Sequence, residues 1–93
     1  MRLDKLLWFL RLVKTRTLAQ QLATEGRVRI DGRPVTSAHA EVRAGQVLCF
    51  AHHDRVRVLR VEALPARRGP APEAQACYTD LAPAQGTATP VDG

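Results

Sequence analysis

Twelve arginines and two lysines are the residues of this 93-residue chain best placed to do chemistry, and their spacing suits anion binding rather than catalysis. Eleven of them fall in three groups: Arg2, Lys5, Arg11, Lys14 and Arg16; then Arg27, Arg29 and Arg33; then Arg55, Arg57 and Arg60. A guanidinium grips a phosphate through parallel hydrogen bonds and stacks on a base, whereas a lysine contributes a point charge. Backbone amides near Thr15, at the expected start of a helix, would add an anion site. Catalytic sets are missing. No Ser/His/Asp arrangement, glycine-rich nucleotide loop or paired carboxylates occur. His52-His53-Asp54 would be a solvated hairpin tip, because adjacent turn residues rarely converge on one metal ion. His39 is a lone loop histidine. No cofactor, metal or enzymatic activity is expected.

Charge placement sharpens this. Residues 1–68 carry all 14 cations against six acids, a balance of +8, while residues 69–93 carry three acids and no cation. Such a body implies a polyanionic partner. Composition limits the rest. Of the 45% apolar residues, 14 are alanines and only four are aromatic, so a small core of leucine and valine must form without a deep pocket. Cys49 and Cys77, far apart and outside any metal-ligand spacing, read as free thiols in a reducing compartment. Asp4 and Lys5 interrupt the apolar start, so no signal peptide is expected, and the run Leu6–Leu10 is too short to span a membrane. A cytoplasmic protein is expected.

The elements that must position the cations follow from periodicity. Leu3, Leu6, Leu7 and Leu10 form a helical stripe over residues 3–13. Trp8 and Leu12 lie opposite and need a cover, either the C-terminal segment or a partner. Trp8 and Phe9 are also candidates for stacking on planar groups of such a partner, although burial beneath Tyr78 and Leu81 is the expected fate. Thr15 suits the N-cap of a second helix, with Leu18, Ala19, Leu22 and Ala23 inward and Gly26 at its C-terminal cap. From Arg27 the period changes to two. Val28 and Ile30 face one way, Arg27 and Arg29 the other, and Asp31-Gly32 marks a hairpin turn into Arg33-Pro34-Val35. Residues 36–46 read as loop. Val47–Phe50 and Arg55–Val61 read as a second hairpin, with a bulge or strand end expected near Leu59, where the alternation reverses. Pro72 would start a short helix running to Leu81. The expected organisation is a binding domain at 1–64, an extension at 65–81 and a disordered tail at 82–93.

Helix, helix, then three or four short strands would bring the first two cation groups onto one surface. Such a surface would bind nucleic acid by Coulomb attraction and counterion release. Two rivals are a DNA-binding protein reading with its second helix, and a protein-interaction adaptor using the Trp8/Leu12 face.

Three stretches carry a family resemblance: Met1-Arg-Leu-Asp-Lys-Leu-Leu-Trp-Phe-Leu-Arg, Lys14-Thr-Arg-Thr-Leu-Ala and Gly26-Arg-Val-Arg-Ile-Asp-Gly32. They resemble the S-four RNA-binding domain, named after ribosomal small-subunit protein four, and within it the bacterial heat-shock protein fifteen group. Arg67-Arg68-Gly-Pro-Ala-Pro-Glu73-Ala-Gln-Ala-Cys-Tyr78 is similar to that group's following segment. The resemblance implies an α+β fold, the alpha-L RNA-binding motif: a two-helix hairpin on a small, mostly antiparallel sheet of three to five short strands, with a short C-terminal helix and tail. It implies RNA contacts at Arg2, Lys5, Arg11, Lys14, Arg16, Arg27 and Arg29, with Thr15 and Arg33 beside them, while Asp4 positions neighbouring cations. The implied partners are ribosomal RNA, tRNA and the free large ribosomal subunit carrying a stalled nascent chain. The chain departs from the group at Leu6, where an aromatic is usual, at Asp31, where Asn is usual, and at Thr36-Ser37-Ala38, which replaces a basic-Pro-Ser motif. It also has an acidic Pro/Ala-rich segment where the group has a long basic extension.

Overall fold

A computed structural model describes residues 1–52 and 55–81. The order is α1 (Leu3–Phe9), α2 (Arg16–Thr24), β1 (Val28–Ile30), β2 (Arg33–Val35), β3 (Val47–His52), β4 (Arg55–Val61), α3 (Ala71–Gln75) and β5 (Tyr78–Asp80). All five strands form one antiparallel sheet in the order β2-β1-β3-β4-β5. The two-helix hairpin covers one face, as expected. Leu3, Leu6, Leu7 and Leu10 from α1 and Ala19, Leu22 and Ala23 from α2 meet Val28, Ile30, Leu48, Phe50, Leu59 and Val61 from the sheet. The aliphatic stripe and the alternating strands supply the two faces of one core.

Both helices end in the same way. Gly26 takes a φ of +75° after α2, and the amides of Gly26 and Arg27 bond back to the carbonyls of Ala23 and Leu22 at 3.2 and 3.1 Å. This is the Schellman arrangement expected of a glycine. Helix α1 stops four residues short of its expected end because Arg11 adopts that conformation too, with φ +58°. The amides of Arg11 and Leu12 return to the carbonyls of Trp8 and Leu7 at 3.1 and 3.0 Å. The reversal tucks Leu12 and Val13 into the core.

Helix α1 has no capping side chain at Arg2. Its first amides instead reach the long loop 36–46, with Leu3 N to Ala40 O at 2.9 Å and Asp4 N to Ala38 O at 3.2 Å. The loop is therefore a bracket for the N-terminal helix.

Three expectations need correction. There is no bulge at Leu59, since β3 and β4 pair in one unbroken register from Val47↔Arg60 to His52↔Arg55. The alternation changes because β4 outruns the core. Arg57 shares a face with Leu59 and Val61 but lies nearer the open end, beside Phe50, where it pairs with Asp80 at 2.8 Å and covers Tyr78. The helix begun near Pro72 ends at Gln75 rather than Leu81, and Tyr78–Asp80 instead pairs with β4 and supplies its edge with hydrogen bonds. Finally, Trp8 is not covered by Tyr78 and Leu81. Arg68 lies over its ring, and Leu81 is exposed.

The expected hairpin tip at His53 and Asp54 and the tail at 82–93 lie outside the described residues. Among the described residues Cys49 and Cys77 are free, and no helix is long and apolar enough to cross a membrane.

Candidate nucleic-acid interface

The site is organised by a carboxylate. Asp4, on the first turn of α1, is fully buried, and its side chain accepts hydrogen bonds from Arg2 Nε and Nη2 at 3.1 and 3.0 Å. It also accepts from its neighbour's amide, Lys5 N, at 2.8 Å and from Gln20 Nε2 on α2 at 3.2 Å. Arg16 Nε, also from α2, stands 3.5 Å from Oδ2, close enough for an ion pair but without an aligned hydrogen bond. Burial alone would raise the Asp4 pKa. The hydrogen bonds from Arg2, Gln20 and the Lys5 amide, with the Arg2 charge, outweigh that and hold it below its ordinary value. An ionised, buried Asp4 thus draws cations from two helices onto one spot, the positioning role expected of it. Arg2 and Arg16 stay about two-fifths exposed, so much of each guanidinium remains open to a ligand.

The other expected contacts differ in how they are placed. Lys14 and Thr15 immediately precede Arg16 and are both exposed. The Thr15 hydroxyl accepts from Leu18 N at 3.1 Å, the N-cap its position called for. Lys5 is half-buried, its ammonium 5.3 Å from the centre of the Phe9 ring. Arg11 is turned elsewhere, donating from Nε to the Gly69 carbonyl at 2.6 Å. It fastens the end of α1 to the extension.

Arg27 follows the α2 cap directly and is paired with exposed Glu25 at 3.0 Å, which offsets its charge. In the β1–β2 hairpin, Arg33 stands opposite buried Ile30 on the helix side of the sheet. Arg29 projects from the other side but bends toward the turn, its Nη1 3.4 Å from Gly32 O. The hairpin therefore presents both arginines near its tip. Asp31, an acidic residue among these cations, takes φ +52° in the turn. Its carboxylate accepts from Val47 N at 2.9 Å and Gln46 Nε2 at 3.3 Å, which makes it a brace between β1 and β3. Among the described residues no carboxylate pairs with Lys5, Arg11, Lys14, Arg29 or Arg33.

Sequence reasoning missed Gln20 and Arg68. Gln20 lies one helical turn beyond Arg16, so the i, i+4 spacing carried a usable signal. Arg68 had none, because its contact with Trp8 spans 60 positions.

The model of the S4 domain matches residues 1–48, which hold the Asp4 cluster, both helices and the first hairpin. The chain belongs to the S4 domain family. This is the S-four domain that the sequence resembles. The chain is 37% identical over 82 residues to Heat shock protein 15 of Escherichia coli (strain K12), a match covering 87% of this chain and 60% of the relative. It is 38% identical over 64 residues to the RQC P-site tRNA stabilizing factor of Bacillus subtilis, covering 69% of this chain and 73% of that one. A solved trimeric structure of Vibrio cholerae Heat Shock Protein 15 superposes with a TM-score of 0.82 at 32% identity, covering 88% of this chain and 82% of that one. The likeness to the heat-shock protein fifteen group therefore extends through the extension. The chain spans about 60% of the length of the Heat shock protein 15 relatives it matches.

Proposed function

We propose that this S4 domain is a non-enzymatic, cytoplasmic RNA-binding protein that holds structured ribosomal RNA or tRNA by its phosphates. The observation that carries this is the Asp4 cluster. Buried Asp4 holds Arg2, which precedes α1, and stands within ion-pair distance of Arg16 on α2, so these two cations are pre-arranged before any ligand arrives. Pre-arrangement lowers the ordering cost of binding. In this reading Arg29 and Arg33 at the tip of the first hairpin add further phosphate contacts, with Arg27 contributing less because Glu25 pairs with it. With many cations and few stacking groups, recognition is by backbone shape and charge more than by base edges.

The partner is inferred from the relatives. One is named for stabilising a P-site tRNA, and the resemblance to the heat-shock protein fifteen group implies large subunits that carry stalled nascent chains. We infer the same setting here, association with the large ribosomal subunit during rescue or recycling. The adaptor alternative draws less support, since Leu12 of the expected Trp8/Leu12 face is buried in the core.

Sedimentation tests the reading. Tagged protein should travel with large subunits bearing stalled peptidyl-tRNA and be outcompeted by ribosomal RNA more readily than by duplex DNA. Protein that stays at the top of the gradient, or that duplex DNA displaces equally well, contradicts it.

A further inference from the structure

We propose that Lys5, Phe9, Trp8 and Arg68 form a stacking site for one unpaired nucleotide of the bound RNA, an inference that rests on the RNA-binding reading above. The four side chains contact one another in series, two rings with a cation at each end. Lys5 Nζ stands 5.3 Å from the Phe9 ring centre, Phe9 and Trp8 are 5.8 Å apart and tilted by 50°, and Arg68 Cζ lies 5.2 Å from the Trp8 ring centre. All four are half-buried, so the row rests on the core and still meets solvent.

Arg68 is held in place. Its Nε donates to the Trp8 carbonyl at 3.1 Å, and the next residue, Gly69, receives Arg11 at 2.6 Å. Its neighbour Arg67 is neutralised by Glu73 at 2.9 Å, whereas among the described residues no carboxylate pairs with Arg68 or Lys5. A guanidinium lying over an indole keeps its other planar side for a ligand, and a base stacks on that side much as on an aromatic ring. Cations at both ends of the row suit the flanking phosphates. Lys5 also directly follows Asp4 on α1, so the row starts one residue from the carboxylate that holds Arg2. Every base has a π-face, so the site tolerates any base and selects for its being unpaired. It also gives the C-terminal extension a direct part in recognition.

Trp8 is the chain's only tryptophan, so its emission reports on the site. The full chain is titrated with an RNA hairpin carrying a short unpaired uridine overhang, and with the same hairpin made blunt. The overhang should tighten binding by about fivefold or more and quench Trp8, with no quenching by the blunt hairpin. Arg68→Gln should abolish the overhang preference. Arg68→Lys, which keeps the charge but loses the plane, should not restore it. Equal affinity for the two hairpins with unchanged emission overturns the stacking site and leaves the RNA-binding reading standing. Failure to bind either hairpin at low salt overturns that reading and the site with it.

Discussion

The Nε of Arg16, in the first turn of α2, lies 3.5 Å from the Oδ2 of Asp4, a fully buried carboxylate on α1 that Arg2 also holds. One acid thus ties together two helices and two cations of the proposed binding surface. A buried charge left without its partners is costly, and so are buried donors left without an acceptor. Fold and function therefore meet at this residue. Asp4→Ala should destabilise the protein by about 2–3 kcal/mol in urea unfolding and also weaken RNA binding, because Arg2 and Arg16 lose their anchor. Full stability with weakened binding would limit Asp4 to orienting the cations.

The same carboxylate gives a pH dependence of defined sign. Its folded pKa lies below the ordinary value of 3.8, so its stabilisation is complete above that pH and is lost as the pH falls through the folded value. The stability gap between wild type and Asp4→Ala should therefore be constant near neutrality and narrow in acid. A gap that widens on acidification contradicts an ionised Asp4.

Arg11 tests the helix ending. A non-glycine residue at φ +58° carries strain of about 1–2 kcal/mol, which Arg11→Gly relieves while losing one hydrogen bond to Gly69 worth about 1 kcal/mol. The two nearly cancel, so thermal unfolding should move little. A large loss would show that the link to the extension matters far more than one hydrogen bond.

Lys14 and Arg16 are two positions apart and should behave differently. Lys14 is exposed and, among the described residues, has no carboxylate partner. Lys14→Gln should change stability by less than about 0.5 kcal/mol and lower the magnitude of the salt slope for RNA binding by about 0.7–0.9. Arg16→Glu places a second carboxylate against Asp4 and should cost stability as well as affinity. Equal stability effects at the two positions would contradict the asymmetry.

What was legible in the sequence was local. The leucine stripe of α1, the Thr15 cap, Gly26 and the Asp31-Gly32 turn each follow from neighbouring residues, and all four stand as read. The misreadings arose where distant packing overrode a local pattern. Ala74, Cys77, Tyr78 and Leu81 have helical spacing, yet the open edge of β4 takes Tyr78–Asp80 as a strand. Nothing around Arg11 announces a left-handed residue, because what it gains comes from Leu12 entering the core and Gly69 accepting its side chain. The Asp4 cluster was half legible. Its acid and cations were visible, but their convergence depends on how α1 and α2 pack.

The dependence of RNA affinity on salt tests the central claim most directly. If roughly five phosphates are neutralised, log Kd against log salt concentration should be linear with a slope of magnitude about 3.5–4.5. An affinity that stays constant as salt is raised would contradict a grip made through the RNA backbone.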